Sequence, residues 1–300
     1  MSSYAIVYFG ETEERLANIE RDEFNRTRVA IAISHGQLGI EQRYGILLEN
    51  YKELEQELLN FSLNVTLNTS NGWETLEDAT PLFHRRVLNF LSSARMYLDQ
   101  IPGELLNASR NADQVKLEFD KLRSTEYDNS LGYRVCEALR NYTQHKSLPV
   151  HRISYGMRRE AAAKTVTNYS GLGLSVSVLE ADRKFKASVL KELRSVGEKH
   201  DLKRFIREYM HGLGEVHINL RKHLRDDGAW AISEIRLMRE KILSLPGCRR
   251  DSEMSLVEVR DDKKRVTRGV LTTTWHERML RLQKCSIRSP RLVQINLSSE

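Results

Sequence analysis

Apolar residues recur at helical spacing through most of the first 150 residues. Between residues 44 and 61 they fall three or four positions apart, which places them on one face of an α-helix. Three further stripes of this kind follow, so the pattern predicts four helices that begin near Tyr44, Pro81, Asn111 and Asp128. Each helix has a single apolar face and the connections are short or moderate, which favours an antiparallel bundle.

The ends of these helices are predicted from capping residues and prolines. Thr80 followed by Pro81 is typical of a helix start, because a capping hydroxyl precedes a proline at the first helical position. The turn-rich segment 68–81 is therefore predicted to be a connector, and the helix after it is predicted to end before Pro102. Residues 3–34 are ambiguous, since YAIVYF resembles a strand and EERLANIERDEF resembles a helix.

The pattern changes after Pro149. Residues 165–178 are rich in Gly, Ser and β-branched side chains, which predicts either a strand pair or a loop. Helical spacing resumes near Glu180, with a long stripe over 202–220 and another helix over 230–243.

The last fifty residues favour strands. Residues 255–275 predict two strands joined by a polar turn around 261–264, and residues 291–297 alternate like one more strand. The sequence thus predicts a mainly α protein with two domains. An antiparallel helical bundle occupies 1–150, and a C-terminal α+β domain with a small antiparallel sheet occupies 151–300.

Charge is distributed unevenly between these two halves. Residues 1–150 hold 16 Lys and Arg against 22 Asp and Glu, whereas residues 151–300 hold 31 against 19. A basic half favours an electrostatic partner, and nucleic acid is the first candidate. The alternative is that the two halves attract each other or that the charges lie on solvated helices.

Other sequence features exclude several classes of protein. No apolar run approaches the roughly 18–20 residues of a membrane span, and no basic segment precedes the short apolar stretch at the N-terminus. Three widely spaced cysteines make neither a disulfide framework nor a zinc site. These features predict a cytoplasmic protein with no membrane partner.

Cofactor and metal signatures are weak throughout the sequence. His211, His217 and His223 are six residues apart and do not share a helix face, which disfavours a metal site. The glycine-rich stretches lack the context of a dinucleotide or phosphate-binding loop. We therefore expect no metal and no cofactor.

The stretch LRNYTQHKSLP, residues 139–149, carries the chemistry of greatest interest. Asn141 and His145 are four residues apart on one face of the fourth helix, whereas Arg140 projects about 140° away from His145. A histidine in a last turn is suited to proton transfer near neutral pH, because orphan carbonyls there favour its protonated form. Arginine supplies a permanent charge and a fork of donors that suits a phosphate. Together they are suited to RNA cleavage by the 2′-hydroxyl.

The Arg-x4-His spacing alone is common. With 32 Arg and 9 His in 300 residues, about one such pair arises by chance. The additional Asn at the second position lowers this expectation to roughly 0.05, because the chain has 15 Asn. The motif therefore carries information mainly through Asn141 and through its place at a helix end.

Residues Arg140 to His145 resemble the R-x4–6-H motif of the HEPN superfamily, in which the second position is often Asn. In that family the motif lies near the end of a late helix in a four- or five-helix bundle, and the resemblance covers roughly residues 38–150. It implies a metal-independent endoribonuclease in which two protomers pair so that two motifs face one cleft. It also implies a role in host defence or in a toxin–antitoxin pair with a regulatory or antitoxin protein.

By this resemblance, Arg140, Asn141 and His145 would be catalytic, and Arg134 and Lys146 would contact RNA. His145 would act as general acid or base, Arg140 as the cation at the phosphate, and Asn141 as their support. Three alternatives remain: Arg140 and His145 merely cap the helix and pair with acids, the bundle is a non-catalytic dimerising module, or the basic half acts alone as a nucleic-acid-binding regulator.

Overall fold

The computed structural model describes residues 3–9, 13–67, 72–160, 165–260, 264–286 and 298–299. Eight helices and eight strands are found in these ranges. In chain order they are β1 (Ser3–Phe9), β2 (Glu14–Ile19), α1 (Arg21–Leu67), α2 (Trp73–Ala108), α3 (Ala112–Asn129), α4 (Leu131–His145), β3 (Arg152–Glu160), β4 (Thr165–Ser175), α5 (Val176–Glu180), α6 (Ala187–Val196), β5 (Lys199–Asp201), α7 (Leu202–Leu243), β6 (Met254–Val259), β7 (Arg265–Val270), α8 (Thr274–Cys285) and β8 (Ser298–Ser299). The predicted mainly α fold with a small antiparallel sheet in the C-terminal part is confirmed, and a second sheet combines β1 and β2 with β6 and β7.

The chain divides into two compact units, each assembled from three segments. Unit 1 comprises Met1–Arg43, Asp99–Asp120 and Asn219–Ile287, and unit 2 comprises Tyr44–Leu98, Lys121–Ile218 and Arg288–Glu300. The division into domains at residue 150 stays a prediction.

Unit 1 contains a four-stranded antiparallel sheet in the order β2-β1-β6-β7. Strand β1 pairs with β6 in the register Ala5↔Val257, so residues about 250 positions apart in sequence lie side by side. Ile6 and Leu256 face a core that also contains Ile33 and Ile235 from helices α1 and α7. The sheet is therefore held against helices by a shared apolar layer.

The core of unit 2 is aromatic. Tyr44, Tyr97 and Tyr209 are almost fully buried, and His217 lies among them with no exposed surface. The His217 ring stacks on Tyr44 at 3.8 Å between centroids, and His217 Nδ1 lies 3.0 Å from the hydroxyl of Tyr97. The hydrogen bond offsets the loss of solvent around a buried imidazole, so His217 is a core histidine.

Unit 2 also contains a sheet in the order β3-β4-β5, with β8 paired to the far end of β4. Residues 165–175, which the sequence left open between a strand pair and a loop, form the single strand β4. This strand pairs antiparallel with β3 over nine residue pairs, from Arg152↔Gly173 to Glu160↔Thr165.

The prediction that EERLANIERDEF is helical was wrong in its first half. Residues Glu14–Ile19 form β2, which pairs with β1 from Tyr4↔Ile19 to Phe9↔Glu14. The ladder satisfies backbone groups that local helical spacing would have paired differently. Helix α1 begins only at Arg21, where the Glu20 N–H donates to Glu23 Oε2 at 3.1 Å.

The predicted bounds of the second helix were also wrong. Helix α2 begins at Trp73 and runs through both Pro81 and Pro102 to Ala108. A proline inside a helix costs about 3 kcal/mol. Leu105 and Ala108 are fully buried beyond Pro102, and that burial offsets the backbone hydrogen bond lost there. The residues before Pro81 are mostly exposed, and Thr80 Oγ1 donates to the Leu76 carbonyl at 2.6 Å. The predicted connector is thus helical from Trp73, and residues 68–71 lie outside the described ranges.

Residues 202–220 and 230–243 belong to one helix, α7, and not to two. Gly228 interrupts the apolar pattern because a side chain there would meet Gln37, whose Oε1 lies 2.5 Å from an ideal Cβ. Gln37 Nε2 in turn donates to the carbonyls of Ala108 and Leu224. Strands β6 and β7 confirm the two strands predicted in 255–275, but β7 ends at Val270 and helix α8 begins at Thr274. Residues 261–263 of the predicted turn and the strand predicted over 291–297 lie outside the described residues.

Candidate functional site

The predicted site lies on helix α4, whose start is fixed by a side-chain cap. Ser130 accepts a hydrogen bond from the Tyr133 N–H at 3.1 Å, which satisfies one of the orphan donors of the first turn. The helix then buries one face, formed by Val135, Cys136, Leu139 and Tyr142. This stripe leaves Asn141 and His145 on the exposed side, as the sequence predicted.

The helix ends at His145. The backbone N–H of Lys146 donates to the Tyr142 carbonyl at 2.9 Å and closes the last turn. Pro149 follows three residues later. The predicted position of the motif at a helix end is therefore confirmed.

Arg140 is half-buried and extends its guanidinium to its neighbour in sequence. Its Nη1 donates to Asn141 Oδ1 at 3.2 Å, so the Asn side chain orients the guanidinium. The Arg140 Nε–H is enclosed and has no acceptor among the described residues. Enclosed donors without a partner are uncommon in folded proteins and are often found at functional sites.

The side chain of His145 is exposed, and no hydrogen bond or ion pair joins it to any described residue. Arg140 and His145 are not brought into contact with each other either. Because Arg140 and His145 are five residues apart, the helical period turns their side chains about 140° away from each other, as the sequence predicted. A single copy of the motif thus presents Arg140 with Asn141 on one side and His145 on another.

Arg134, proposed as an RNA contact, is engaged within unit 2. Its Nε and Nη2 donate to both carboxylate oxygens of Glu192, at 3.1 and 2.6 Å. Its Nη1 donates to the carbonyls of Tyr127 and Asp128, each at 2.7 Å. A guanidinium with most donors occupied in this way fixes the end of α3 to α4 and to α6. Its assignment to RNA binding stays a prediction.

Lys146, the other predicted RNA contact, remains accessible. Its Nζ lies 3.8 Å from Asp182 Oδ1, and half of its side chain is exposed to solvent. Asp182 itself is buried, with 7% of its side chain exposed. The assignment of Lys146 to RNA binding stays a prediction.

Two histidines that the sequence did not single out lie beneath the end of α4. The ring of His151 contacts Tyr142, with centroids 6.3 Å apart, and His151 Nδ1 accepts the Ser175 N–H at 3.0 Å. His84 lies close enough to act on His151 electrostatically. Burial lowers the pKa of both imidazoles, so both are neutral near pH 7. No local pattern marks these residues, because they come from α2 and from the start of β3.

The described residues contain no group of three or more His, Cys, Asp or Glu side chains arranged to hold a metal ion. In the same ranges, no helix is both long and apolar enough to cross a membrane. Burial raises the pKa of the Cys136 thiol well above its usual value, so this cysteine is a core residue and not a nucleophile.

Comparisons of the chain with known proteins found no relative. The chain matches no family model, and no curated protein and no solved structure shows a significant match to it.

Proposed function

We propose that this protein is a metal-independent endoribonuclease of HEPN type that acts in the cytoplasm. Arg140, Asn141 and His145 form its active centre. The observation that supports this assignment is that no described carboxylate pairs with Arg140 or with His145. The competing interpretation, in which both residues cap the helix and pair with acids, requires such partners.

The reaction is an intramolecular displacement at phosphorus. A base takes the proton of the ribose 2′-hydroxyl, the 2′-oxygen forms a bond to phosphorus, and the bond to the 5′-oxygen of the next nucleotide breaks. A proton is delivered to that departing oxygen. The products are a 2′,3′-cyclic phosphate and a 5′-hydroxyl, and neither a redox partner nor a further reactant is consumed.

In this scheme the exposed His145 transfers the proton, because an imidazole can both accept and donate one. Arg140 binds the non-bridging oxygens, where negative charge increases in the transition state. Asn141 holds the guanidinium by its 3.2 Å hydrogen bond.

Because one helix end turns Arg140 and His145 apart, the complete centre consists of two motifs in a homodimer. Uncontrolled RNA cleavage harms a cell, so a regulatory or antitoxin protein and a role in host defence or in a toxin–antitoxin pair belong to the same proposal.

The test uses total cellular RNA and a labelled mixed-sequence RNA of about thirty nucleotides, both with excess chelator. We expect wild-type protein to produce fragments ending in 2′,3′-cyclic phosphate. His145→Ala should lower the rate at least about 100-fold, the usual contribution of an acid–base residue. Gln144→Ala is the matched control, since Gln144 is an exposed neighbour in the same helical turn. A fully 2′-O-methylated RNA should resist cleavage.

Equal cleavage by His145→Ala and wild type, or no cleavage of either RNA by wild type, would refute the catalytic proposal. A non-catalytic dimerising module is distinguished in the same experiment. The module would show no cleavage by wild type or by His145→Ala. Instead, His145→Ala would shift the melting temperature, or the dimer fraction measured by sedimentation.

A further inference from the structure

Unit 2 contains a cleft with a volume of about 1240 Å³. Its floor is formed by strands β3, β4 and β5, and one wall by the first three turns of α7. This volume exceeds the roughly 300–1,000 Å³ of most small-molecule pockets. None of the predicted site residues line it.

The register of the sheet explains why the floor is open. Gly173 of β4 lies between Arg152 of β3 and Asp201 of β5, and Gly171 lies opposite Ser154. Residues directly opposite one another share a face of the sheet. A Cβ on Gly173 would lie 3.0 Å from Arg152 Cβ, and one on Gly171 would lie 2.8 Å from Ser154 Oγ. The glycines therefore leave bare backbone between two rows of side chains.

The lining of this cleft is basic. Five lysine and arginine side chains and two carboxylates contribute to it, a surplus of three positive charges. These residues are Arg152, Lys199, Lys203, Arg204, Arg207, Asp201 and Glu208. Three histidines, His151, His200 and His211, also line it. A concave surface of one sign concentrates the opposite charge.

Three of the five cations already have partners. Arg207 donates to both oxygens of Glu55, each at 2.8 Å. Lys203 donates to the Ser170 carbonyl, and Arg204 donates to Glu208 at 2.9 Å. Glu55 balances Arg207 and Asp201 lies 3.6 Å from Lys203, so these two cations contribute more to the shape of the wall than to its attraction for an anion. The Arg204 side chain stays exposed in its pair with Glu208.

Arg152 and Lys199 differ from these three. Both side chains are exposed, and neither makes an ion pair or a side-chain hydrogen bond to a described residue. They lie on the strands at either side of β4, Arg152 opposite Gly173 and Lys199 opposite Ser175. With strands about 4.8 Å apart, the two backbones are separated by about 10 Å across the sheet. These two positive charges thus lie on β3 and β5, and the exposed backbone of Gly173 on β4 lies between them.

We propose that this cleft binds the sugar–phosphate backbone of single-stranded RNA, with Arg152 and Lys199 contacting successive phosphates. The described lining contains no phenylalanine, tyrosine or tryptophan on which bases would stack. Recognition therefore depends on phosphates and is independent of sequence. The RNA identity rests on the proposed ribonuclease function, for which the cleft holds the substrate strand.

The test measures binding separately from cleavage. Fluorescence anisotropy of a labelled fifteen-nucleotide oligouridine is followed in chelator with the His145→Ala chain, which leaves the RNA intact. Arg152→Glu/Lys199→Glu is introduced into that chain, and we expect binding at least tenfold weaker at 100 mM salt. The plot of log K against log salt should also become shallower by about 1.4, since each lost single-strand phosphate contact removes about 0.7.

The matched control is Arg183→Glu/Lys191→Glu in the same chain. Both are exposed basic residues of unit 2 outside the cleft, and the change in net charge is identical. We expect it to weaken binding no more than about twofold and to leave the salt slope unchanged. Arg152→Gln/Lys199→Gln, which adds no negative charge, provides a second comparison if the double glutamate variant does not fold by circular dichroism.

The outcomes separate this proposal from the ribonuclease. Equal losses in the cleft and control variants, or no binding by wild type, would overturn the cleft. Equal or tighter binding of duplex RNA or of uridine monophosphate would overturn the single-strand assignment. Cleft-dependent binding without cleavage by the wild-type chain would leave the cleft in place and refute the ribonuclease. Wild-type cleavage that persists with equal rate and KM in Arg152→Glu/Lys199→Glu would refute the cleft alone.

Discussion

The ion pair between Glu41 and Arg221 is the strongest test of how unit 1 is stabilised. Arg221 Nε and Nη2 donate to the two carboxylate oxygens at 2.8 and 2.5 Å. Its Nη1 donates to the Ser286 carbonyl at 2.8 Å, and Gln283 Nε2 donates to Glu41 Oε1 at 3.1 Å. The pair thus joins helices α1 and α7 to the end of α8. The Glu41 side chain is only 3% exposed.

Replacing Arg221 with Met removes the charge but keeps most of the apolar stem. The buried Glu41 carboxylate then loses both hydrogen bonds from Arg221 and keeps the one from the Gln283 amide. Removing one partner of a buried ion pair costs about 3–5 kcal/mol, far more than the pair itself contributes relative to apolar residues. The double variant Glu41→Met/Arg221→Met buries no charge and loses mainly the bonds to Ser286, at about 1–3 kcal/mol. We therefore expect the double variant to be more stable than the single one.

Urea unfolding followed by circular dichroism at 222 nm measures the difference. The urea midpoint should fall most for Arg221→Met and less for the double variant. For Arg194→Met the free energy of unfolding should stay within about 1 kcal/mol of wild type, because the Arg194–Glu180 pair is exposed. If Arg221→Met destabilises no more than Arg194→Met, or if the double variant is the less stable of the two, the reasoning from burial is refuted.

Three further predictions concern unit 2. Ser130→Ala should lower the free energy of unfolding by about 1 kcal/mol through loss of the cap on Tyr133, measured by urea unfolding, with Ser130→Thr retaining it. Leu139→Ala removes a fully buried side chain from α4 and should cost about 2–5 kcal/mol in the same assay; a cost below 1 kcal/mol would contradict the packing. Since burial lowers the pKa of His84 and His151 below 6.5, the unfolded state binds more protons, and stability should fall as pH falls below about 6.5. His84→Gln/His151→Gln should weaken that dependence in melts between pH 7.5 and 5, and an unchanged slope would exclude these residues as its source.

Local patterns predicted the elements whose stability depends on near neighbours in sequence. Helix α4 has a cap, a clear apolar stripe and a following proline; its end was predicted within residues 139–149, and it ends at His145. Strands β6 and β7 likewise follow alternation and a polar turn. In each case the local preference and the tertiary environment agree, which is the condition under which sequence reasoning succeeds.

The errors have a common physical cause in long-range contacts. Strand β2 forms because β1 offers it a ladder, and β1 is itself paired with β6, far away in the sequence. Helix α2 continues through Pro102 because Leu105 and Ala108 beyond it are buried. No window of ten or twenty residues contains the partner that decides these outcomes.

The same distinction governs the candidate sites. The motif on α4 was recognisable because helical spacing places Asn141 and His145 on one face. The basic cleft was not, although the positive charge of the second half was evident. Every Lys or Arg in a sequence adds a positive charge to the total. Whether that charge is available to a ligand depends on which acidic side chain lies beside it in the fold. Arg134 was predicted to contact RNA, yet Glu192 occupies it from 58 positions away.

The surplus of twelve basic residues over acidic ones in residues 151–300 therefore overstates the attraction for an anion. Among the cations that line the cleft, Arg207, Lys203 and Arg204 lie within ion-pair distance of Glu55, Asp201 and Glu208, whereas Arg152 and Lys199 have no such partner among the described residues. Arg152 and Lys199 form one candidate binding site only because of the strand register, which pairs Arg152 with Gly173 and Lys199 with Ser175. A shift of one residue in that register would turn either side chain to the opposite face. Binding in this cleft therefore depends on the register of the sheet as well as on charge. Charge reversal at Arg152 and Lys199 tests the two cations that this register places on one face.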